Sequence, residues 1–101
     1  MTDRHGKNVE RLTRRVLASP GELEPEIRTA IAAGKDVPPA LAAYIEKVDK
    51  HAYKVTDEDI QALLEAGYTE DQIFEATVAA ALGAGLKRLR AGLVALEASV
   101  N

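Results

Sequence analysis

Apolar residues recur at every third or fourth position along most of the chain, the spacing that gives an α-helix one apolar face. This pattern predicts five helices, at about residues 9–18, 24–33, 38–53, 56–66 and 69–97. No stretch alternates apolar and polar residues as a half-buried strand would. We therefore expect an all-α fold, a small bundle of about five helices.

The fourth and fifth helices carry the clearest start and stop signals. Thr56 is a good N-cap, because its side-chain oxygen can accept a hydrogen bond from the first turn. Gly67 stands just past the last periodic residue, where a left-handed C-terminal cap is common. Thr69 and Gln72 have the spacing of a capping box, which restarts the helix at once.

The fifth helix is rich in small residues and contains three interior glycines, Gly83, Gly85 and Gly92. Each interior glycine costs about 1 kcal/mol relative to alanine, so close approach of another surface is expected to offset it. That surface is a helix of the same chain, a helix of a partner subunit, or a ligand. For the partner-subunit case we predict an interface at Ala79, Gly83, Gly85, Leu86 and Leu89.

A length of 101 residues suits one domain. Residues 1–8 are polar and are expected to form a flexible tail, and residues 9–97 a single helical domain. Aromatic residues make up only 4% of the chain, so the core has few large side chains. Small domains bury a limited share of their surface, and we therefore expect an oligomer.

Charge and composition exclude several classes of function. The net charge of −3 gives no electrostatic case for binding nucleic acid or an anionic membrane. The chain has no cysteine and only two histidines, so we expect no disulfide, no metal and no cofactor. No apolar run reaches the ~18 residues of a membrane span, and the N-terminus lacks a signal-peptide core. We expect a soluble, cytoplasmic protein.

Two alternative activities can be placed on the chain. An acid–base site is possible at His51 and Tyr53, with Asp59 or Glu75 as its carboxylate. The other explanation of His51 is a partly exposed residue at the end of a helix. The helix–glycine–helix outline around Gly67 also suggests a nucleic-acid module. Its second helix begins with acidic residues, however, and these would repel phosphate.

Residues 56–89 carry a resemblance to a known family. They read TDEDIQALLEAGYTEDQIFEATVAAALGAGLKRL. This pattern resembles the helical core of the carboxymuconolactone decarboxylase and alkylhydroperoxidase-D-like proteins, with a family-like core at residues 41–97. The features that match are Ala66-Gly67-Tyr68, the restart at 69–73 and the small-residue stretch at 79–86.

The resemblance implies a function for the chain, but the residues present exclude the thiol chemistry of the family's peroxidases. The cysteine pair and histidine of the family's peroxidases fall on Ala52, Val55 and Asp59, so the thiol mechanism is excluded. What the resemblance implies is a non-catalytic subunit that forms oligomers, either with itself or with a cysteine-bearing family member. The alternative is an acid–base decarboxylase or isomerase at His51, since the decarboxylase branch works without the cysteine pair.

Overall fold

The structure, a computed structural model, describes residues 3–100. These residues form five α-helices and one short 3₁₀ turn: α1 Asp3–Ala18, α2 Pro25–Ala33, α3 Pro39–His51, the turn Ala52–Lys54, α4 Asp57–Glu65 and α5 Glu70–Val100. No strand occurs in the described part of the chain. The prediction of an all-α fold with five helices is confirmed.

Helix α1 begins at Asp3, six residues before the start that the apolar pattern predicts. Residues 3–8 are polar and therefore give no periodic signal, but they contain no proline and extend the helix without a break. Met1 and Thr2, the first residues of the predicted tail, lie outside the described residues.

The helix ends follow the local signals in the sequence. Gly67 adopts φ 101°, and the N–H of Tyr68 donates to the carbonyl of Leu63 at 3.1 Å, which closes α4. The N–H of Thr69 donates to the side chain of Gln72 at 2.9 Å, and the N–H of Gln72 donates to the Thr69 hydroxyl at 3.1 Å. This reciprocal pair confirms the predicted capping box at the start of α5.

The core surrounds the first half of α5, against which α2, α3 and α4 pack. Its members are mainly aliphatic: Leu23, Ile31, Leu41, Tyr44, Leu63, Ile73, Ala76, Ala79, Ala80 and Ala84. The α5 contribution is almost entirely alanine, so neighbouring helices lie close to the α5 backbone. The Tyr44 hydroxyl lies 2.7 Å from the Thr77 hydroxyl, which itself donates to the carbonyl of Ile73.

Helix α2 lies close to the α5 backbone at Gly83. A Cβ added to Gly83 would lie 2.5 Å from the carbonyl oxygen of Ala32 and 2.8 Å from its Cα. Gly83 therefore has an explanation inside the chain. Gly85 and Gly92 do not, because a Cβ added at either position would meet nothing within 4 Å.

Helix α5 is longer than the bundle that supports it. Its 31 residues span about 46 Å, and the molecule measures 52 × 29 × 20 Å. Among residues 70–99 of α5, the last buried one is Ala84. The carboxyl-terminal half of the helix is thus covered only in part, by α1.

Candidate interaction surface

His51 and Tyr53, two of the predicted acid–base residues, lie on the surface. His51 is exposed at the end of α3, and Tyr53 is 81% exposed in the turn that follows. Their rings contact edge to face with centroids 6.1 Å apart. Neither residue lines either of the two cavities described below. A substrate held between them would have no enclosing walls.

Asp59 has structural partners on both of its carboxylate oxygens. The Lys47 ammonium donates to them at 2.9 and 3.0 Å, and the N–H of Thr56 donates at 2.8 Å. The Thr56 hydrogen bond, followed by that of Lys47, lowers the pKa of Asp59 below its usual value. Asp59 is therefore a stable carboxylate that fastens α4 to α3, and a poor proton donor near neutral pH.

Glu75 fastens the loop between α1 and α2 to α5. Its carboxylate accepts from the N–H groups of Glu22 and Leu23 at 2.8 and 3.2 Å. A Cβ at Gly21 would collide with this carboxylate. Gln72 adds a hydrogen bond from its side-chain amide to the carbonyl of Glu22 at 3.2 Å. These contacts give Glu75 a role in the fold.

Arg28 completes this polar cluster and is a residue that the sequence reasoning missed. Its side chain is buried, with the whole residue only 3% exposed. The guanidinium donates to the carbonyls of Val16 at 2.7 Å, Leu23 at 2.9 Å and Ser19, and lies 3.9 Å from Glu75. The sequence does carry a signal for its burial: Arg28 lies three residues before Ile31, on the inward side of a short helix.

The four predicted catalytic residues are thus not brought together in one site. His51 and Tyr53 are exposed, Asp59 joins α3 to α4, and Glu75 joins α5 to the α1–α2 loop. Within residues 3–100 no group of three or more metal-ligating side chains is close enough to hold an ion.

A cavity of about 240 Å³ lies between α2, α3 and α5. Its polar lining carries both charges, from Lys35, Asp36, Glu46, Asp49, Lys50 and Lys87. Two of the lysines already face carboxylates, Lys87 with Asp49 at 3.8 Å and Lys50 with Glu46 at 3.4 Å. This mixed lining selects neither an anion nor a cation.

A larger groove of about 810 Å³ runs between α1 and α5. Helix α1 contributes Gly6, Asn8, Val9, Glu10, Thr13 and Arg14, and helix α5 contributes Leu86, Leu89, Arg90 and Leu93. The α5 wall is therefore mainly leucine. An open apolar groove of this kind is the usual sign of a surface that binds another protein segment.

The residues predicted as an interface are divided between the core and this groove. Ala79 and Gly83 are buried inside the chain, against neighbouring helices. Leu86 and Leu89 line the groove, and Gly85 is exposed beside it with open space where a Cβ would lie. Only the last three are placed where a second protein could reach them.

The groove leucines belong to a longer series on α5. Leu82, Leu86, Leu89, Leu93 and Leu96 alternate spacings of four and three residues, and we call this series the leucine seam. Such alternation is the pattern with which helices pair in coiled coils. Leu89 is 43% exposed and Leu96 is 53% exposed, and Leu93 between them is half-buried, so the described residues cover the far end of the seam only in part.

No described helix combines the length and apolar character that crossing a membrane requires. No protein-family model, curated protein or solved structure matches the chain. The resemblance of residues 56–89 to the carboxymuconolactone decarboxylase and alkylhydroperoxidase-D-like proteins therefore stays a prediction from sequence. The function has to be argued from the surface itself.

Proposed function

We propose that the protein is a cytoplasmic assembly module that forms oligomers through the carboxyl-terminal half of α5. The observation that supports this proposal is the leucine seam, which continues past the bundle with Leu89 and Leu96 exposed. Moving leucine side chains out of water contributes about 1.5–3 kcal/mol each when burial is complete. A second helix in the groove between α1 and α5 would supply that burial.

The proposal also explains why α5 contains two interior glycines that lower its helix stability relative to alanine. Gly85 and Gly92 are seven positions apart and lie immediately before Leu86 and Leu93, along one edge of the seam. A Cβ added at either glycine would meet nothing within 4 Å. A bare edge of this type allows a partner helix to approach the α5 backbone closely.

The molar mass in solution tests the proposal. We expect light scattering to give more than the monomer mass of 10.8 kDa, and the Leu89→Lys/Leu96→Lys double variant to give the monomer mass. Phe74→Lys is the matched control, because Phe74 is 68% exposed on the same helix but lies outside the seam. Its assembly should equal that of the unmodified chain.

Two results would contradict the proposal. One is a monomer at every protein concentration at which the solution stays clear. The other is an oligomer that Gly85→Leu and the Leu89→Lys/Leu96→Lys variant leave unchanged. Circular dichroism of each variant should show unchanged helix content, since these side chains are exposed or only partly covered in the single chain.

We further propose, from the sequence resemblance, that the partner is either a second copy or a cysteine-bearing member of the same family. The support is the absence of cysteine from all 101 residues, which leaves this chain without its own thiol chemistry. Mass spectrometry of what co-purifies from native cells tests this choice. Recovery of a protein with a CxxC pair supports the accessory role, and recovery of this chain alone supports self-assembly.

A further inference from the structure

The seam has two edges of different chemistry. One edge follows the exposed leucines and carries charge, with Arg90 directly after Leu89 and Glu97 directly after Leu96. The other edge precedes the alternate leucines and carries Gly85, Gly92 and Ser99. Arg90 and Glu97 are both exposed, and neither forms an ion pair with another described residue.

The direction in which two copies of α5 pair decides what these charges meet. In a parallel pair, the charged edge of one helix faces the small edge of the other. Arg90 would then lie beside Gly85 of the second copy, and Glu97 beside Gly92. No opposite charge would be provided on either side of the seam.

In an antiparallel pair, like edges face each other, and the charged edges of the two copies meet. When Leu93 of one copy lies opposite Leu96 of the other, Arg90 falls beside Glu97 of the second copy. The twofold symmetry repeats this contact, so two ion pairs form. On the opposite edge Gly92 faces Ser99 of the second copy, and both side chains are small enough for close packing.

An antiparallel register in which the two α5 helices overlap over a longer stretch is less favourable. If Leu89 lay opposite Leu93 of the second copy, Arg90 would face Arg90, and like charges at such a position repel. The register with Leu93 opposite Leu96 also confines contact to the part of α5 beyond Ala84, the last buried residue. Helices α2, α3 and α4 of the two copies then lie at opposite ends of the shared segment, and α1 is the one described helix of each copy that runs beside it.

We infer that the partner of the seam is a second copy of this chain, with the two α5 helices antiparallel and Arg90 of each copy beside Glu97 of the other. This inference rests on the proposed self-assembly and adds the direction and the register of pairing. It assigns Arg90 and Glu97 the role of selecting the partner.

A charge exchange tests the inference by sedimentation equilibrium of the full chain at low salt. Arg90→Glu and Glu97→Arg each convert two attractive contacts into two repulsive ones, and we expect each to raise the dimer dissociation constant about tenfold. The Arg90→Glu/Glu97→Arg double variant restores both pairs and should return the constant to within about twofold of the original. Arg88→Glu makes the same charge change off the seam and should leave the constant unchanged.

The outcomes separate this inference from the proposal beneath it. Weakening by each single variant with recovery in the double variant supports antiparallel pairing. A dimer that is insensitive to the single variants, or one that the double variant does not restore, overturns the pairing while leaving self-assembly intact. An unmodified chain that is monomeric overturns both.

Discussion

The two halves of α5 have similar apolar content and opposite surroundings. In the first half, up to Ala84, the buried residues are mainly alanines, and α2, α3 and α4 lie over them. In the second half the apolar residues are leucines, valines and alanines, and Leu89, Val94 and Leu96 are exposed. The buried alanines of α5 all lie in its first half, whereas most of its exposed large apolar side chains lie in its second half. Small residues in the first half permit close helix packing within the chain, and the proposed assembly would cover the exposed large ones of the second half.

The largest predicted loss of stability comes from removing the buried guanidinium of Arg28, which lies beside Glu75 in the first half of α5. Arg28→Met keeps the apolar stem but leaves three carbonyls without this donor and removes the cation beside Glu75, so we expect a loss of about 3 kcal/mol in the free energy of unfolding. Urea denaturation measures it. Arg88→Met, an exposed control on the second half, should change stability by less than about 0.5 kcal/mol. Equal effects would show that the cluster around Arg28 is not important for folding.

The interior glycines of α5 also differ between the packed first half and the open second half of the helix. Gly83→Ala places a Cβ against the backbone of Ala32 and should destabilise the protein by about 2 kcal/mol. Gly92→Ala meets open space and should stabilise the helix by about 0.5–1 kcal/mol. Thermal unfolding of the two variants in parallel, at a protein concentration low enough to keep the chain monomeric, measures the difference. The same sign for both substitutions would contradict the division of α5 into a packed half and an open half.

A smaller effect is expected at Tyr44, whose hydroxyl contacts Thr77 beneath α3. Because Thr77 already donates to the carbonyl of Ile73, Tyr44 is the donor in this pair. Tyr44→Phe should therefore cost about 1 kcal/mol in urea denaturation. Tyr53→Phe changes the same atom on an exposed ring and should cost nothing measurable. If the two substitutions have the same effect, the Tyr44 hydrogen bond does not contribute to the packed half.

The smallest predicted effect is a dependence of folding stability on pH. The lowered pKa of Asp59 means that its stabilising contacts are complete above the unfolded value of 3.8 and are lost as pH falls through the lower folded value. Stability should therefore fall on acidification below about pH 4, and Asp59→Asn should remove part of that fall. Urea titrations at several pH values measure it. Asp57→Asn, in the same helical turn, is the control.

Local signals in the sequence predicted the elements well, whereas contacts between distant segments could not be predicted. Gly67 and the Thr69–Gln72 pair mark their helix ends because capping depends on neighbours three or four residues away. Arg28 and Glu75 are separated by 47 positions, and only the packing of α2 on α5 brings them together. Glu75 therefore looked available for acid–base chemistry although its oxygens hold a loop.

The candidate surface was predicted in part, for the same reason. Helical periodicity places Leu86 and Leu89 on one face, but it does not say where the bundle ends along α5. Ala79 and Gly83 lie on the packed side of that boundary, and Leu93 and Leu96 lie beyond it. The position of the boundary depends on the length of α2 and on its approach to Gly83, which is a tertiary contact.

The contrast between the packed first half and the open second half of α5 is tested most directly by backbone hydrogen exchange along the helix at several protein concentrations. Protection of amides at residues 73–84 should be independent of concentration, because the chain itself covers them. Protection at residues 86–99 should increase with concentration, because a second molecule covers them. Exchange at residues 86–99 that stays the same over a concentration range of about a hundredfold would contradict the account.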